Sequence, residues 1–373
     1  MRPRRLMGVG LAAAALGLAA CSSAASSSSS SGASPGATTA AKTTVRAWSA
    51  MPTSIPDKTP LPAAPPKGKT VVYLQCEEVT CGYEGDGLKA AAAAIGWTVK
   101  VLNFQAANPA TLVSALKTGL QYHPVAAFFS GVPQDAWQSE QRAYAAAGAF
   151  IVDNYTATPP TGPGVEAGRG YESQTVTEGT VLADEQIADS GGHPANSLLV
   201  NVPAYTLFVP MANAYKAQIA KDCPACRVTE EDFTLPQLFG GDLVPAVVSA
   251  AKRTSGLKYI ISAAGSFTAT LPQALQAAGL GGKFKIISGL GEATDQQNVL
   301  NGTQLATAGA PYRLGGWQDM DMAIRAVMHL PASAGDGVVP WVVLTKANIG
   351  TPSDSYDEPA DYPALFEKLW HVG

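Results

Sequence analysis

The 373-residue chain is 46% hydrophobic, only 14% charged, and carries a formal net charge of −4. That is enough apolar material for a sizeable core, with no excess of base to neutralise a phosphate backbone, so a wholly disordered chain and a nucleic-acid-binding protein are both disfavoured. Once the polar, proline-rich stretch up to Pro66 is set aside, two ordinary domains of about 150 residues fit what remains.

Residues 1–20 read as an export signal, with Arg2, Arg4 and Arg5 ahead of an apolar run rich in Ala and Leu. No apolar run long enough to span a bilayer follows, so no membrane span is expected in the mature chain. The signal ends in Leu18-Ala19-Ala20-Cys21, which resembles a bacterial lipobox. That resemblance implies acylation of Cys21 and attachment at the outer face of the cell membrane; an ordinary secretory signal followed by a chance cysteine is the alternative. Residues 21–68 carry the serine run Ser26 to Ser31 and then Pro52, Pro56, Pro60, Pro62, Pro65 and Pro66. Such a segment buries too little to offset its chain entropy, and a flexible leash is expected. The apolar island 45–51 is expected to pack on the folded body.

From Lys69 short apolar strands alternate with amphipathic or alanine-rich helices, the pattern of βαβ units and parallel sheets. Strands are expected at 70–75, 98–103, 126–130 and 150–153, with helices at 85–95, 109–120 and 134–147. The Pro- and Gly-rich stretch 156–170 reads as a crossover. A second half follows, with helices at 177–188, 209–220, 241–254 and 269–278 and strands at 197–202, 226–229, 259–262 and 284–288. The fold class is therefore α/β with two doubly wound parallel-sheet domains.

With Cys21 assigned to lipid, four cysteines remain, an even number for an exported and oxidising compartment. Local pairing, Cys76 with Cys81 and Cys223 with Cys226, is expected. Cys223-Pro-Ala-Cys226 also has thiol-oxidoreductase spacing, but that chemistry uses a helix N-terminus to lower a thiol pKa. Here the pair follows a helical pattern, so a staple is preferred to a redox site. His123, His193, His329 and His371 show no ligand spacing, and no metal or cofactor is expected.

The order and contents of these segments resemble the type I periplasmic binding proteins, in particular the ribose-binding group of ABC-transporter receptors. The resemblance covers about 69–350. It rests on Asp86-Gly87 before an alanine-rich helix, Gly96-Trp97-Thr98-Val99 at a strand entry, Asn108-Pro109-Ala110 before a helix, Asn301-Gly302-Thr303-Gln304-Leu305-Ala306 at a later strand entry, and the helix 316–329. Each is common alone; their shared order is specific. The resemblance implies a hinge of three crossings, a first domain of 69–157 plus 304–332, a second of 172–303 plus 338–350, and a C-terminal tail at 351–373. It also implies a monomer that closes on a small molecule and hands it to a membrane ABC permease, without covalent chemistry. The sequence contains no HExxH or P-loop motif and no GxSxG at a strand-to-helix elbow, and no enzyme is expected. A ligand-sensing lipoprotein that presents its ligand to a membrane sensor is the alternative.

Departures from the sugar-binding pattern bear on the ligand. Met211 stands where the family places a hydroxyl-binding Arg, Ala263-Ala264-Gly265 where it has an Asn-Asp pair, and Gly289-Leu290-Gly291 where it has Gly-x-Asp. Stacking aromatics of the first loop are replaced around Thr80 and Cys81, and only Asp153-Asn154 keeps the polar character of the family's Asp-Arg. A sugar bound through other groups, or a less polar or aromatic ligand, is expected. The candidate ligand residues lie at strand C-termini. They are Gln75, Glu77, Glu78, Tyr83, Gly131, Gln134, Asp153 and Asn154 in the first domain, and Tyr205, Phe208, Met211, Ser266, Phe267, Leu290 and Glu292 in the second. Tyr312 and Trp317 either cover the cleft or pack beneath it.

Overall fold

The computed structural model describes residues 32–352 and 354–373, so Cys21 and the signal region lie outside the described residues. In chain order the elements are α1 (Pro35–Trp48), β1 (Thr70–Gln75), α2 (Val79–Ile95), β2 (Thr98–Asn103), α3 (Pro109–Leu120), β3 (Ala126–Ser130), α4 (Gln141–Ala146) and β4 (Phe150–Asn154). Then come α5 (Glu172–Asp189), β5 (Asn196–Asn201), α6 (Phe208–Asp222), β6 (Val228–Asp232), α7 (Leu235–Phe239), α8 (Leu243–Arg253), β7 (Leu257–Ser262), α9 (Gly265–Thr268) and α10 (Leu271–Ala277). The chain finishes with β8 (Lys285–Gly291), α11 (Ala293–Asn301), β9 (Ala306–Gly309), α12 (Tyr312–Val327), β10 (Val342–Thr345) and α13 (Tyr362–Leu369).

Two sheets result, with strand orders β2-β1-β3-β4 and β10-β9-β8-β7-β5-β6. All pairings are parallel except β10 against β9. The strand β1 shows why the first sheet is wound on both faces. Its Val71 and Tyr73 pack among residues of α2, α12 and α13, while Val72 and Leu74 pack toward α3 and α4. A strand covered on both sides reads as a continuous apolar run. Two glycines set the helix spacing above that sheet: a Cβ on Gly87 would collide with the Arg313 carbonyl, and one on Gly316 with the backbone of α2. The Asp86-Gly87 pair of the family resemblance is thus a helix-contact feature here.

Several expectations are corrected. Residues 35–68 are not a free leash. Ser34 caps α1 by accepting from the Ala37 amide, Pro35 occupies the first turn, and α1 lies along α5 with Trp48 stacked on Trp341 at 4.3 Å. The strap that follows buries Ile55 and Leu61 in the first lobe and hydrogen-bonds from the Leu61 amide to the Leu369 carbonyl. Composition alone did not reveal this, because a few apolar side chains suffice when a preformed surface receives them. The return crossing also comes later than 304. The strand β9 is a member of the second sheet, and only from α12 does the chain rejoin the first lobe. The tail 351–373 is no appendage: Phe366 and Trp370 of the α13 region are fully buried against α12. Together the strap and the tail add two crossings between lobes to the three implied by the resemblance. The expected helix 134–147 is broken into two 3-10 turns and the short α4, with buried Trp137 at the break donating to the Val132 carbonyl.

Both local disulfides, Cys76–Cys81 and Cys223–Cys226, are present. The second closes the C-terminal end of α6, away from any helix N-terminus that would activate a thiol. Among the described residues no helix is long and apolar enough to cross a membrane.

Candidate functional site

Each parallel strand ends in a loop, and these loops converge between the lobes on a cavity of about 80 Å³, several times the roughly 10–15 Å³ that one water needs. From the first lobe it is walled by Cys76, Glu78, Thr80 and Cys81 after β1, Glu84 on α2, and Ser130 and Gly131 at the end of β3. From the second it is walled by Tyr205, Leu207 and Phe208 after β5, Ala264, Ser266 and Phe267 after β7, and Leu290 at the end of β8. Tyr155 and Tyr312, which sit at two of the interlobe crossings, complete the wall.

The second-lobe wall is an aromatic cluster. Tyr205 and Phe267 stack with centroids 6.2 Å apart, and Phe208 meets Phe267 edge-on at 5.3 Å. Tyr155 and Tyr312 face each other at 6.3 Å. The hydroxyl of Tyr155 lies beside Arg169, and those of Tyr205 and Tyr312 are buried without a hydrogen-bond partner. Such groups are costly unless something satisfies them. Tyr155 and Leu290 also hold left-handed backbone at φ 57° and 40°, a strain of about 1–3 kcal/mol each that persists only where surroundings enforce it.

No lysine, arginine or histidine lines this cavity. Acidic groups do, and burial pushes them up. Glu78 rises to about 7 by desolvation, opposed by the Ser266 hydroxyl across the cleft and reinforced by Glu77. Glu292 rises to about 8 through burial, then Asp295 and Glu78. On the first-lobe wall, Glu84 is raised to about 7 by burial, with Arg169 pulling it down and Asp319 pushing it up. The Arg169 side chain, 1% exposed, pairs with Glu84 and at 2.6 Å with Asp319. Ser130 donates to Glu84 at 2.8 Å, and the Asn154 amide bridges Glu84 and Asp319. A cation from the crossover loop is thus locked between α2 and α12.

Of the residues expected at the ligand, Glu78, Gly131, Tyr205, Phe208, Ser266, Phe267 and Leu290 come together on the cavity wall. The others are placed elsewhere. Asp153 does not line the cavity; its buried carboxyl is raised by desolvation, with the Val132 amide and Trp137 indole opposing. Asn154 belongs to the Arg169 network, where its carbonyl also accepts from the Arg169 amide. Gln134 clamps Thr161 of the crossover, Glu77 accepts from the Ala106 amide, and Tyr83 lies under the Arg313 guanidinium at 5.0 Å. Gln75 and Tyr83 line a shallower groove with Glu77. Met211 is fully buried core, and Glu292 caps α11 just behind the cavity. Trp317 packs in the first-lobe core against Trp370 at 5.2 Å. Sequence reading did not single out Glu84, Ser130, Tyr155 or Leu207. Tyr155 carried the clearest signal, as the residue after the last strand of the first half.

No protein-family profile matches the chain, and no curated protein matches it. Solved structures do match by shape. An ABC-transporter solute-binding protein from Burkholderia graminis in complex with D-arabinose superposes with a TM-score of 0.67 at 16% identity, covering 80% of this chain and 100% of that one. A 5-methylthioribose transporter solute-binding protein from Thermotoga lettingae, in complex with 5-methylthioribose, gives 0.64 at 16%, covering 83% and 100%. One from Mycobacterium smegmatis with bound glycerol gives 0.66 at 14%, covering 78% and 100%. This chain has the type I periplasmic-binding-protein fold. In such a fold the cleft between the lobes, outside the carboxyl ends of both sheets, is where a ligand is enclosed, and that is where the cavity lies.

Proposed function

We propose that this protein is an extracytoplasmic solute-binding lipoprotein, tethered through Cys21, that closes its two lobes on a small molecule and delivers it to an ABC importer. The observation that carries this reading is the interlobe cavity with two buried, unpartnered tyrosine hydroxyls, Tyr205 and Tyr312, on its wall. A rigid aromatic surface with hydroxyls at its edge suits one face of a sugar ring or another flat, weakly polar molecule. With carboxylates on the wall and no basic side chain, the ligand is neutral or cationic, and a sugar phosphate or carboxylate is disfavoured.

Closure needs a ligand that binds the closed form better than the open one. Two contacts support closure: Glu78 faces Ser266 across the cleft, and the Ala157 amide donates to Thr206 Oγ1 at 3.2 Å. Binding without turnover is the expected behaviour.

The test is a thermal-shift screen against neutral sugars, polyols, nucleosides, aromatic compounds and sugar phosphates, since a ligand that binds only folded protein stabilises it by RT ln(1 + [L]/Kd). Stabilisation by a neutral compound, lost in Tyr205→Ala, is expected. Selective stabilisation by sugar phosphates, or steady turnover of the bound compound, would sink the reading.

A further inference from the structure

Far from the cavity, Asp57 of the strap, Asp321 of α12 and Asp336 of the segment crossing to β10 meet in the interior. One carboxylate oxygen of each lies within 4.8 Å of the others, and the residues are 1%, 0% and 2% exposed. Little answers this charge. Arg325 Nε and Trp370 Nε1 both donate to Asp321, and Arg325 spends its other end on the Thr59 carbonyl. The Ser333 amide reaches one oxygen of Asp336 at 3.3 Å. Both oxygens of Asp57 and Oδ1 of Asp336 are buried with no hydrogen-bond donor. Three carboxylates against one guanidinium leave an uncompensated negative charge in the interior, which is strongly destabilising unless a cation or protons neutralise it.

We propose that Asp57, Asp321 and Asp336 bind a calcium ion that clips the strap and the 333–339 crossing onto α12. The donors are all oxygen, which selects a hard cation. The three oxygens lie within 4.8 Å of one another, and three carboxylates from separate segments suit Ca²⁺, which takes about 6–8 oxygen ligands in flexible geometry, better than Mg²⁺, which keeps several waters and uses one or two carboxylates. Water completes the shell of about 6–8 ligands. The three residues come from distant parts of the chain, so no motif spacing announces them. The site stands independently of the receptor reading, because it lies outside the ligand cavity.

The competing arrangement is a proton shared between Asp57 and Asp336. Burial, then Asp321 and Asp57, push the Asp336 carboxyl upward, which is the state expected without a metal. The full-length protein, stripped with chelator, is titrated with Tb³⁺ while exciting tryptophan, because the Trp370 indole donates to Asp321 at 2.6 Å and would sensitise an ion held there. Sensitised emission, displaced by Ca²⁺ more effectively than by Mg²⁺, is expected, together with a higher unfolding midpoint in Ca²⁺ than in chelator. Asp57→Asn should weaken Ca²⁺ binding by about tenfold or more and shrink the Ca²⁺-induced shift in midpoint. An unfolding midpoint that is the same in Ca²⁺ and in chelator would overturn the proposal in favour of the shared proton, as would equal or stronger displacement by Mg²⁺. If Asp57→Asn fails to fold, the wild-type titration alone decides.

Discussion

Asp319 and Asp321 are two residues apart on α12 and therefore project to nearly opposite sides of the helix, where each joins a buried acidic cluster with one arginine. On one side Arg169 divides its guanidinium between Glu84 and Asp319, and Asn154 and Ser130 take up the remaining acceptor capacity. On the other, Arg325 serves only Asp321, and the oxygens of Asp57 and one of Asp336 have no donor. Both clusters hold more carboxylates than guanidinium, two against one in the first and three against one in the second; in the first the carboxylates are hydrogen-bonded beside the ligand cavity, whereas in the second carboxylate oxygens lack donors where two interlobe segments touch α12. What separates two buried acidic clusters is thus how far their carboxylates' hydrogen bonds close, not their charge count alone.

The hardest blow to this contrast is Arg169→Met, which leaves Glu84 and Asp319 buried without a counter-charge. It should destabilise the protein by about 3–5 kcal/mol, read from denaturant unfolding, and that loss should not respond to calcium. A loss below about 1 kcal/mol would mean that the network holds less charge than its geometry implies.

A pH series sharpens the same contrast at intermediate size. Glu84 and Glu78 at about 7 and Glu292 at about 8 all lie above the ordinary value of 4.5, so the folded state binds their protons more tightly than the unfolded one. Their contribution to stability is complete below about 4.5 and is lost as pH rises through 7 to 8. The unfolding midpoint should fall across that window, and Glu292→Gln should flatten the upper part of the fall. A midpoint that climbs between pH 5 and 8 would refute the assignment.

The smallest effect concerns the strap itself. Trp48→Ala removes the stack on Trp341 and should cost about 0.5–1.5 kcal/mol beyond the lost burial. Proteolysis within residues 32–60 should accelerate with little change in ligand binding. Unchanged cleavage would show that α1 docks through its other contacts.

How far these features were legible varies residue by residue. The β1 run TVVYLQ could only be a doubly covered strand, and Gly96 marks the end of α2 by adopting φ 72°. The loops that wall the cavity follow from strand C-termini, which is why Glu78, Tyr205, Phe208 and Phe267 were found. Asp153 and Asn154 were misleading for a physical reason: they end a strand as ligand residues do, yet the pleat sends neighbouring side chains to opposite faces, one toward Trp137 and the other into the Arg169 network. Tyr155 directly follows that strand and so carried a positional signal, but an aromatic there reads equally as core.

What the sequence determined alone was the alternation of elements, hence two parallel sheets, and the local pairing of cysteines, because both depend on residues near one another in the chain. Only the tertiary structure decided that residues 35–68 dock, that β9 joins the second sheet, that Arg169 lies between Glu84 and Asp319, and that Asp57 meets Asp321 and Asp336. Each of those outcomes depends on surfaces contributed by distant segments, and their energies do not exist until those segments are brought together.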